Sequence, residues 1–384
     1  MRKAVLIFLS VILLCSCREK EYDVCVYGGT SSGVIAAYTA AKSGLKVVLV
    51  EPTEHIGGMT TGGLGYTDIG NKQVVKGLAK QFYRKIGKHY GALEQWIFEP
   101  SVADSIMRDY LSEKNISVLT GHRILSSSML NERISSIIVE QSSSPHKTRE
   151  VFARYFIDCS YEGDLMARSG VSYTVGREAN ESYRETLNGV ELMTRHQFPD
   201  GIDPYREPGK PESGLLWGIS DATLNRNGTG DCMVQAYNYR ICLTDRRDNM
   251  IPIGRPADYD STRYELLLRL MAACPDKLSL NDWFIWSRMP GGKTDINNRG
   301  GFSTDMIGMN HLYPEASYEL RDSIIEAHTS YTKGLLYFFG HDSRVPALLR
   351  AGSTLRNKVC IELNGTQWGT AEHLDFWCSR TDVR

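Results

Sequence analysis

The stretch 23-DVCVYGGTSSGVIAAY-38 decides the fold. Val24, Cys25 and Val26 form a short apolar run of strand character, and Gly28-Gly29 interrupt it. The following 34-VIAAYTAAKSG-44 carries an alanine-rich helical pattern that stops at Gly44. A second apolar run, 45-LKVVLVE-51, ends on an acid. Strand, glycine turn, helix and strand make the first βαβ unit of a doubly wound sheet. Gly28 is expected to permit the tight turn, and Gly33 to let helix and strand pack closely. The turn departs from the G-x-G-x-x-G fingerprint at Thr30, which stands where the second glycine belongs. Its hydroxyl is expected to donate to a phosphate oxygen instead.

Residues Gly28, Gly29, Thr30, Ser31, Ser32 and Gly33 are the expected pyrophosphate turn, with the phosphate over Ser31-Ser32 at the positive end of the helix. Glu51 lies eighteen residues after Gly33, where an acid holds unphosphorylated ribose hydroxyls. That favours FAD or NAD over NADP. Immediately beyond comes 57-GGMTTGG-63, whose glycines leave backbone amides uncovered. Gly57, Gly58, Met59 and Thr60 are therefore expected to form a second phosphate-side loop, a doublet that a nicotinamide enzyme does not need.

Farther on, 154-RYFIDCSYEGDLMARSGV-171 reads as a strand ending in Asp158, then a helix opening near Asp164. Both acids are expected at the nucleotide edge of the sheet, with helix capping as the plainer role for each. Between lie an amphipathic helix over 102–115, a strand over 116–124 and a small β-meander over 122–158.

The fingerprint, Glu51, 57-GGMTTGG-63, 157-IDCSYEGDLMARSGV-171, 176-GREANESYRETLNGV-190 and 290-PGGKTDINNRGGFSTDMIGMNHLYPE-315 come in order along the chain. Together they resemble the bacterial FAD-dependent oxidoreductases labelled xanthan-lyase-related, over roughly residues 22–350. The resemblance implies an α/β glutathione-reductase-like FAD domain with a β-meander insertion and a mixed α+β domain over the flavin. It also implies non-covalent FAD and backbone contact to adenine near Ile124. The expected organisation is a signal segment 1–17, an FAD domain 18–175, a substrate domain 176–350 and a divergent tail 351–384. Members of this family usually continue farther than 384, so the tail is expected to mark either a frame disruption or an unusually short member.

In the second domain, Lys293, Asp295, Asn297, Asn298 and Arg299 crowd a glycine-bounded loop that is poor core and good site. Lys293, Asp295, Asn297, Asn298 and Arg177 are the expected substrate contacts, with Arg177 and Arg299 suited to an acidic sugar or a carbonyl. Hydride removal from a C–H bond also calls for a base, and His55 and His311 are the candidates.

The 384 residues carry a formal net charge of −1, which offers no field to attract nucleic acid. Arg2 and Lys3 precede the apolar 4-AVLIFLSVILL-14, too short for a comfortable membrane span, so this reads as an export signal. The 14-LCSC-17 that follows resembles a bacterial lipobox. That resemblance implies lipidation of Cys17, membrane anchorage and a periplasmic or outer-membrane location. The nine cysteines show no metal-ligand spacing, and no disulfide framework is expected. Three functions stay open on these grounds: a flavin oxidoreductase of a small polar, carbohydrate-like substrate, a flavin-containing sugar lyase, and a non-catalytic glycan-binding lipoprotein.

Overall fold

The computed structural model describes residues 22–193, 196–244, 246, 250–356, 358–360 and 374–375. The signal segment, Cys17 and the greater part of 351–384 lie outside the described residues. Among the described residues no helix is long and apolar enough to cross a membrane. The chain divides into two compact units, the first holding residues up to Ile56 together with Asp109–Val171, the second holding Gly57–Arg108 and the chain from Ser172 onward. The excursion 57–108, expected from the sequence within the nucleotide domain, thus clusters with the second unit.

The first unit is built on a six-stranded sheet of order β3-β2-β1-β6-β5-β4. Its strands are β1 (Tyr22–Tyr27), β2 (Val47–Val50), β3 (Ile116–Leu119), β4 (His122–Leu130), β5 (Arg133–Gln141) and β6 (Ser144–Asp158). Strands β1, β2, β3 and the end of β6 run parallel, whereas β4, β5 and the start of β6 form the antiparallel meander. All four residues of β2 are buried, as a strand covered on both faces requires. Registers Tyr27↔Val50, Tyr27↔Asp158 and Val50↔Leu119 bring the carboxyl ends of the parallel strands level. Gly28, Glu51 and the residues after Asp158 therefore emerge along one sheet edge, the ligand edge of an open α/β sheet.

The single strand expected over 116–124 is two strands, because the chain turns at Gly121 with φ of 63°. Helix α1 (Ser31–Lys42) lays Gly33, Val34, Ala37 and Ala41 on the sheet, a narrow stripe of small residues that permits close approach. It ends in a left-handed Gly44, φ 86°, with Leu45 N–H returning to the Ala40 carbonyl.

The second unit holds an antiparallel five-stranded sheet ordered 284–289, 293–298, 241–244, 358–360, 250–252. The 24-residue helix Tyr318–His341 buries Ile325, Tyr331, Leu335, Phe338 and Phe339 in the same core as Tyr239, Leu243, Tyr264 and Phe284. Each such large apolar side chain removed from water contributes roughly 1.5–3 kcal/mol. Phe284–Met289 and Lys293–Asn298 form a hairpin whose turn needs Gly291 and Gly292 at positive φ, 72° and 71°.

Candidate functional site

The glycine turn is shaped by contacts that exclude any larger residue. A Cβ on Gly28, whose φ is 99°, would stand 2.5 Å from the Ser160 nitrogen, and one on Gly33 would stand 1.9 Å from the Gly28 carbonyl oxygen. Thr30 caps α1, because its hydroxyl oxygen accepts the Gly33 N–H at 3.3 Å. The Thr30 hydroxyl donates to the Cys159 carbonyl at 2.8 Å and lies 2.9 Å from the Ser32 hydroxyl. This corrects the expectation of a phosphate donor: the Thr30 proton is spent on tying the turn to the end of β6. The amides of Ser31 and Ser32, at the first two helical positions, donate to no group among the described residues. They are the donors left for an anion at the positive helix end.

Glu51 is 7% exposed and joins this turn directly. Its Oε2 accepts the Gly29 N–H at 2.5 Å, and its Oε1 accepts the Thr53 N–H and hydroxyl at 2.9 and 3.0 Å. Burial pushes its carboxyl up to about 7, against the pull of the Thr53 and Gly29 hydrogen bonds. The Gly29 amide, expected on the cofactor, is therefore held by Glu51.

Asp158 ends β6 and accepts from Ser160 N–H at 2.9 Å, Ser160 O–H at 2.6 Å and Met166 N–H at 2.8 Å. Capping of the short helix Asp164–Arg168 thus belongs to Asp158 and not to Asp164. Asp164 is 5% exposed in the first helical turn and pairs with Arg168 at 3.2 Å. Ile124 is not a strand terminus: it sits inside β4, fully buried, and its N–H donates to the Tyr27 hydroxyl at 3.1 Å. His55 is half-buried in the turn after Glu51, its backbone amide on the Thr53 hydroxyl at 3.2 Å.

The family match settles what such a turn belongs to. The family described as FAD dependent oxidoreductase matches residues 23–367. The chain belongs to the FAD-dependent oxidoreductase family. The match runs seventeen residues past Arg350, where the likeness was expected to stop. Among curated proteins, this FAD-dependent oxidoreductase is similar to the thiamine thiazole synthase of Pyrococcus horikoshii, 38% identical over 52% of the chain and 83% of the relative. It is also similar to the 3-oxosteroid 1-dehydrogenase of Mycolicibacterium smegmatis, 44% identical over 15% of the chain and 10% of that enzyme. Among solved structures, it is similar to THI4 of Thermovibrio ammonificans at a TM-score of 0.32 and 17% identity, covering 50% of this chain and 80% of that one.

The turn fits FAD on its own geometry, since the glycine cradle is closed to any Cβ and two helix-terminal amides have no acceptor among the described residues. FAD is the cofactor of this oxidoreductase, and the flavin supplies a hydride acceptor when bound.

In the second unit, Gly57 and Gly58 take positive φ, 97° and 53°, and open a 3₁₀ turn through Met59 and Thr60. Here the expected substrate residues separate into structural and accessible groups. Lys293 is 2% exposed with its Nζ 2.6 Å from Glu99 Oε1, whose other oxygen accepts the Tyr90 hydroxyl at 2.9 Å. Asp295 is 2% exposed and paired with the equally buried Arg240; burial pushes its carboxyl up to about 6 although Arg240 pulls the other way. Both were expected on substrate, and both are internal ion pairs that pin the sheet. Arg177 grips Asp231 through Nε at 2.9 Å and through Nη2, while the two backbones exchange N–H bonds of 2.9 Å each way. The Arg177 hydrogen bond holds Asp231 below the usual carboxylate range. Arg177 is thus a partly exposed clasp between two loops. His311 accepts the Val234 N–H at Nδ1, 3.1 Å, which places the neutral ring's proton on Nε2. In that tautomer it is a donor, not the base it was expected to be.

Asn297 and Asn298 do meet a polar cluster. Asn238 Nδ2 lies 3.1 Å from Asn297 Oδ1, 3.0 Å from the Thr304 hydroxyl and 2.8 Å from Asp305 Oδ1. Asn298 Nδ2 reaches Asp305 Oδ2, and Asn298 N–H donates to Asn297 Oδ1 at 2.8 Å. Arg299, next in sequence, is exposed and has no hydrogen bond or ion pair among the described residues. Asp305 was missed by sequence reasoning. The signal was the acid in 300-GGFSTDMIG-308, an unusual place for one between two glycine bends.

Proposed function

We propose that this FAD-dependent oxidoreductase oxidises a small polar, carbohydrate-like substrate, with the pyrophosphate of FAD on Ser31 and Ser32 and the substrate read by the second unit. The observation that carries the substrate class is the network that ties the half-buried Asn297, Asn298 and Asp305 to the buried Asn238 and Thr304, beside the exposed Arg299. Directional side chains at this density favour a ligand with several hydroxyl groups over an apolar one. Asn297 and Asn298 orient the substrate, and Arg299 brings a fixed positive charge to an acidic or carbonyl group. In the first unit, Thr30 and Glu51 hold the turn so that the Ser31 and Ser32 amides stay aimed outward.

The test is anaerobic mixing of the FAD-loaded protein with a panel of sugars, uronic acids and polyols, followed by flavin absorbance. Bleaching by a member of the panel, with a carbonyl product, supports the reading. An unsaturated sugar formed with no electron acceptor present would replace it with lyase chemistry. The lipobox-like 14-LCSC-17 supports export and anchorage by a lipid on Cys17. Retention of a Cys17→Ser protein in the membrane fraction would remove that anchor.

A further inference from the structure

The helix Gly77–His89 of the second unit and the turn before it carry charge of one sign. Residues 71–93 hold Lys72, Lys76, Lys80, Arg84, Lys85 and Lys88 and no Asp or Glu, in a chain with 44 basic and 45 acidic residues overall. Lys80, Arg84 and Lys88 recur every four residues and so share a face, an arrangement of like charges that costs the helix stability. The side away from this row is already committed, with Phe82 and Ile86 buried. Lys80 and Arg84 both reach Glu94, at 3.5 and 3.3 Å, and Lys72 Nζ lies 5.6 Å from the centre of the Trp96 ring. The basic row is thereby set against the segment 93–96. Leu93 in that segment is 77% exposed, and Val74, two residues from Lys72, is 71% exposed. Lys72, Lys76 and Lys88 are exposed and have no ion pair among the described residues.

We propose that this basic row, with Leu93 and Val74 at its margin, is a docking surface for a bilayer of anionic phospholipid. Charge complementarity sets the sign of the partner, since every lysine or arginine brought near an anionic leaflet is attracted to it. The two apolar side chains select a bilayer over a soluble polyanion. A hydrated polyanion gives Leu93 and Val74 nothing to enter, whereas the boundary between headgroups and acyl chains takes such side chains out of water. Because Phe82 and Ile86 hold the helix on its own protein, it rests on the headgroups through its basic face and does not insert as a free amphipathic helix. Glu94 draws on Lys80 and Arg84, so Lys72, Lys76 and Lys88 are the cations most available to lipid. This surface is independent of what the flavin oxidises and of a lipid on Cys17.

The experiment measures flotation of the full-length Cys17→Ser protein with vesicles of phosphatidylcholine and with vesicles of phosphatidylglycerol, so that no lipid on the chain contributes. Phosphatidylglycerol is expected to bind roughly tenfold tighter or more, and the preference to shrink as NaCl is raised. Lys76→Glu with Lys88→Glu changes exposed side chains alone and is expected to weaken phosphatidylglycerol binding roughly tenfold or more. Arg133→Glu with Lys147→Glu makes the same change in net charge at exposed positions of the first unit and is expected to leave binding in place. The emission added by Leu93→Trp should move to the blue with phosphatidylglycerol vesicles, as the ring leaves water. Equal affinity for the two lipids, equal losses in the two double variants, or unmoved emission from a vesicle-bound Leu93→Trp protein would overturn the surface. A soluble polyuronate that binds the row while neither vesicle does would make it a polyanion site and overturn the membrane reading as well.

Discussion

The Gly29 amide donates to the Glu51 carboxylate at 2.5 Å, so the end of β2 is bolted to the turn that follows β1. Glu51→Ala strands the buried Gly29 N–H at a cost of about 1–3 kcal/mol and also removes the acceptor of the partly buried Thr53. Thermal unfolding should show that loss in FAD-free protein, and flavin absorbance after gel filtration should fall with it. A variant that keeps both stability and FAD would show that the bolt is dispensable.

Gly33→Ala places a methyl 1.9 Å from the Gly28 carbonyl oxygen, a backbone atom, with no flexible side chain able to give way. The expected outcome is loss of bound flavin together with destabilisation of about 1–3 kcal/mol, the usual range for overpacking. Gly44→Ala meets no atom nearby but has to adopt φ of 86°, so it should lower stability by about 1–2 kcal/mol and leave flavin binding alone.

Thr30 separates capping from cofactor binding. Thr30→Ser keeps the hydroxyl and should behave as wild type. Thr30→Val loses both the Gly33 cap and the bond to Cys159, and should cost about 1–2 kcal/mol in urea unfolding. FAD affinity per folded molecule should stay within about threefold, since the Ser31 and Ser32 amides carry the phosphate. A far larger loss of affinity in Thr30→Val, with stability intact, would return the hydroxyl to the cofactor.

Stability should fall as the pH rises from about 4 to about 7. Glu51 is pushed up to about 7, and Asp295 and Asp305 to about 6, so all three bind protons more tightly folded than unfolded. Their contribution is complete below the ordinary carboxylate range and is lost as the pH passes through 6 and 7. Asp231, held low by Arg177, acts in the opposite sense but only at more acidic pH. Urea midpoints of FAD-free protein between pH 5 and pH 8 check the slope, which should lessen in Asp305→Asn.

Lys293 and Arg299 lie six residues apart in one hairpin and should give opposite results. Lys293→Met leaves the partly buried Glu99 without its cation, though still on the Tyr90 hydroxyl, and should destabilise by about 1–3 kcal/mol. Arg299→Ala, on the surface, should change stability by less than about 0.5 kcal/mol while raising KM for an acidic substrate. Melting temperature and steady-state kinetics measured on the same preparations separate the two.

The βαβ entry was legible because its cues are local. A buried run of Val47 to Val50, glycines on either side of a turn and a helix of small residues declare themselves within thirty residues. The hinge at Gly121 was hidden, since 116-ISVLTGHRI-124 keeps an apolar pattern through a turn that the sheet reads as two strands. The roles of Lys293, Asp295 and Arg177 were hidden for another reason: a charged residue in a loop looks the same whether its partner is substrate or a side chain far away in sequence. Glu99 is 194 positions from Lys293, and Arg240 is 55 from Asp295.

The sequence by itself determined the cofactor class and the turn that holds it, because strand, glycine turn, helix and acid act through near neighbours along the chain. Only the tertiary structure decided which polar side chains are committed to one another. Burial makes an unpaired charge too costly to leave alone. Lys293 and Asp295 are therefore drawn into ion pairs, Thr30 and Arg177 are committed by hydrogen bonds to residues far away in sequence, and the Asn238 oxygen is left without a donor among the described residues.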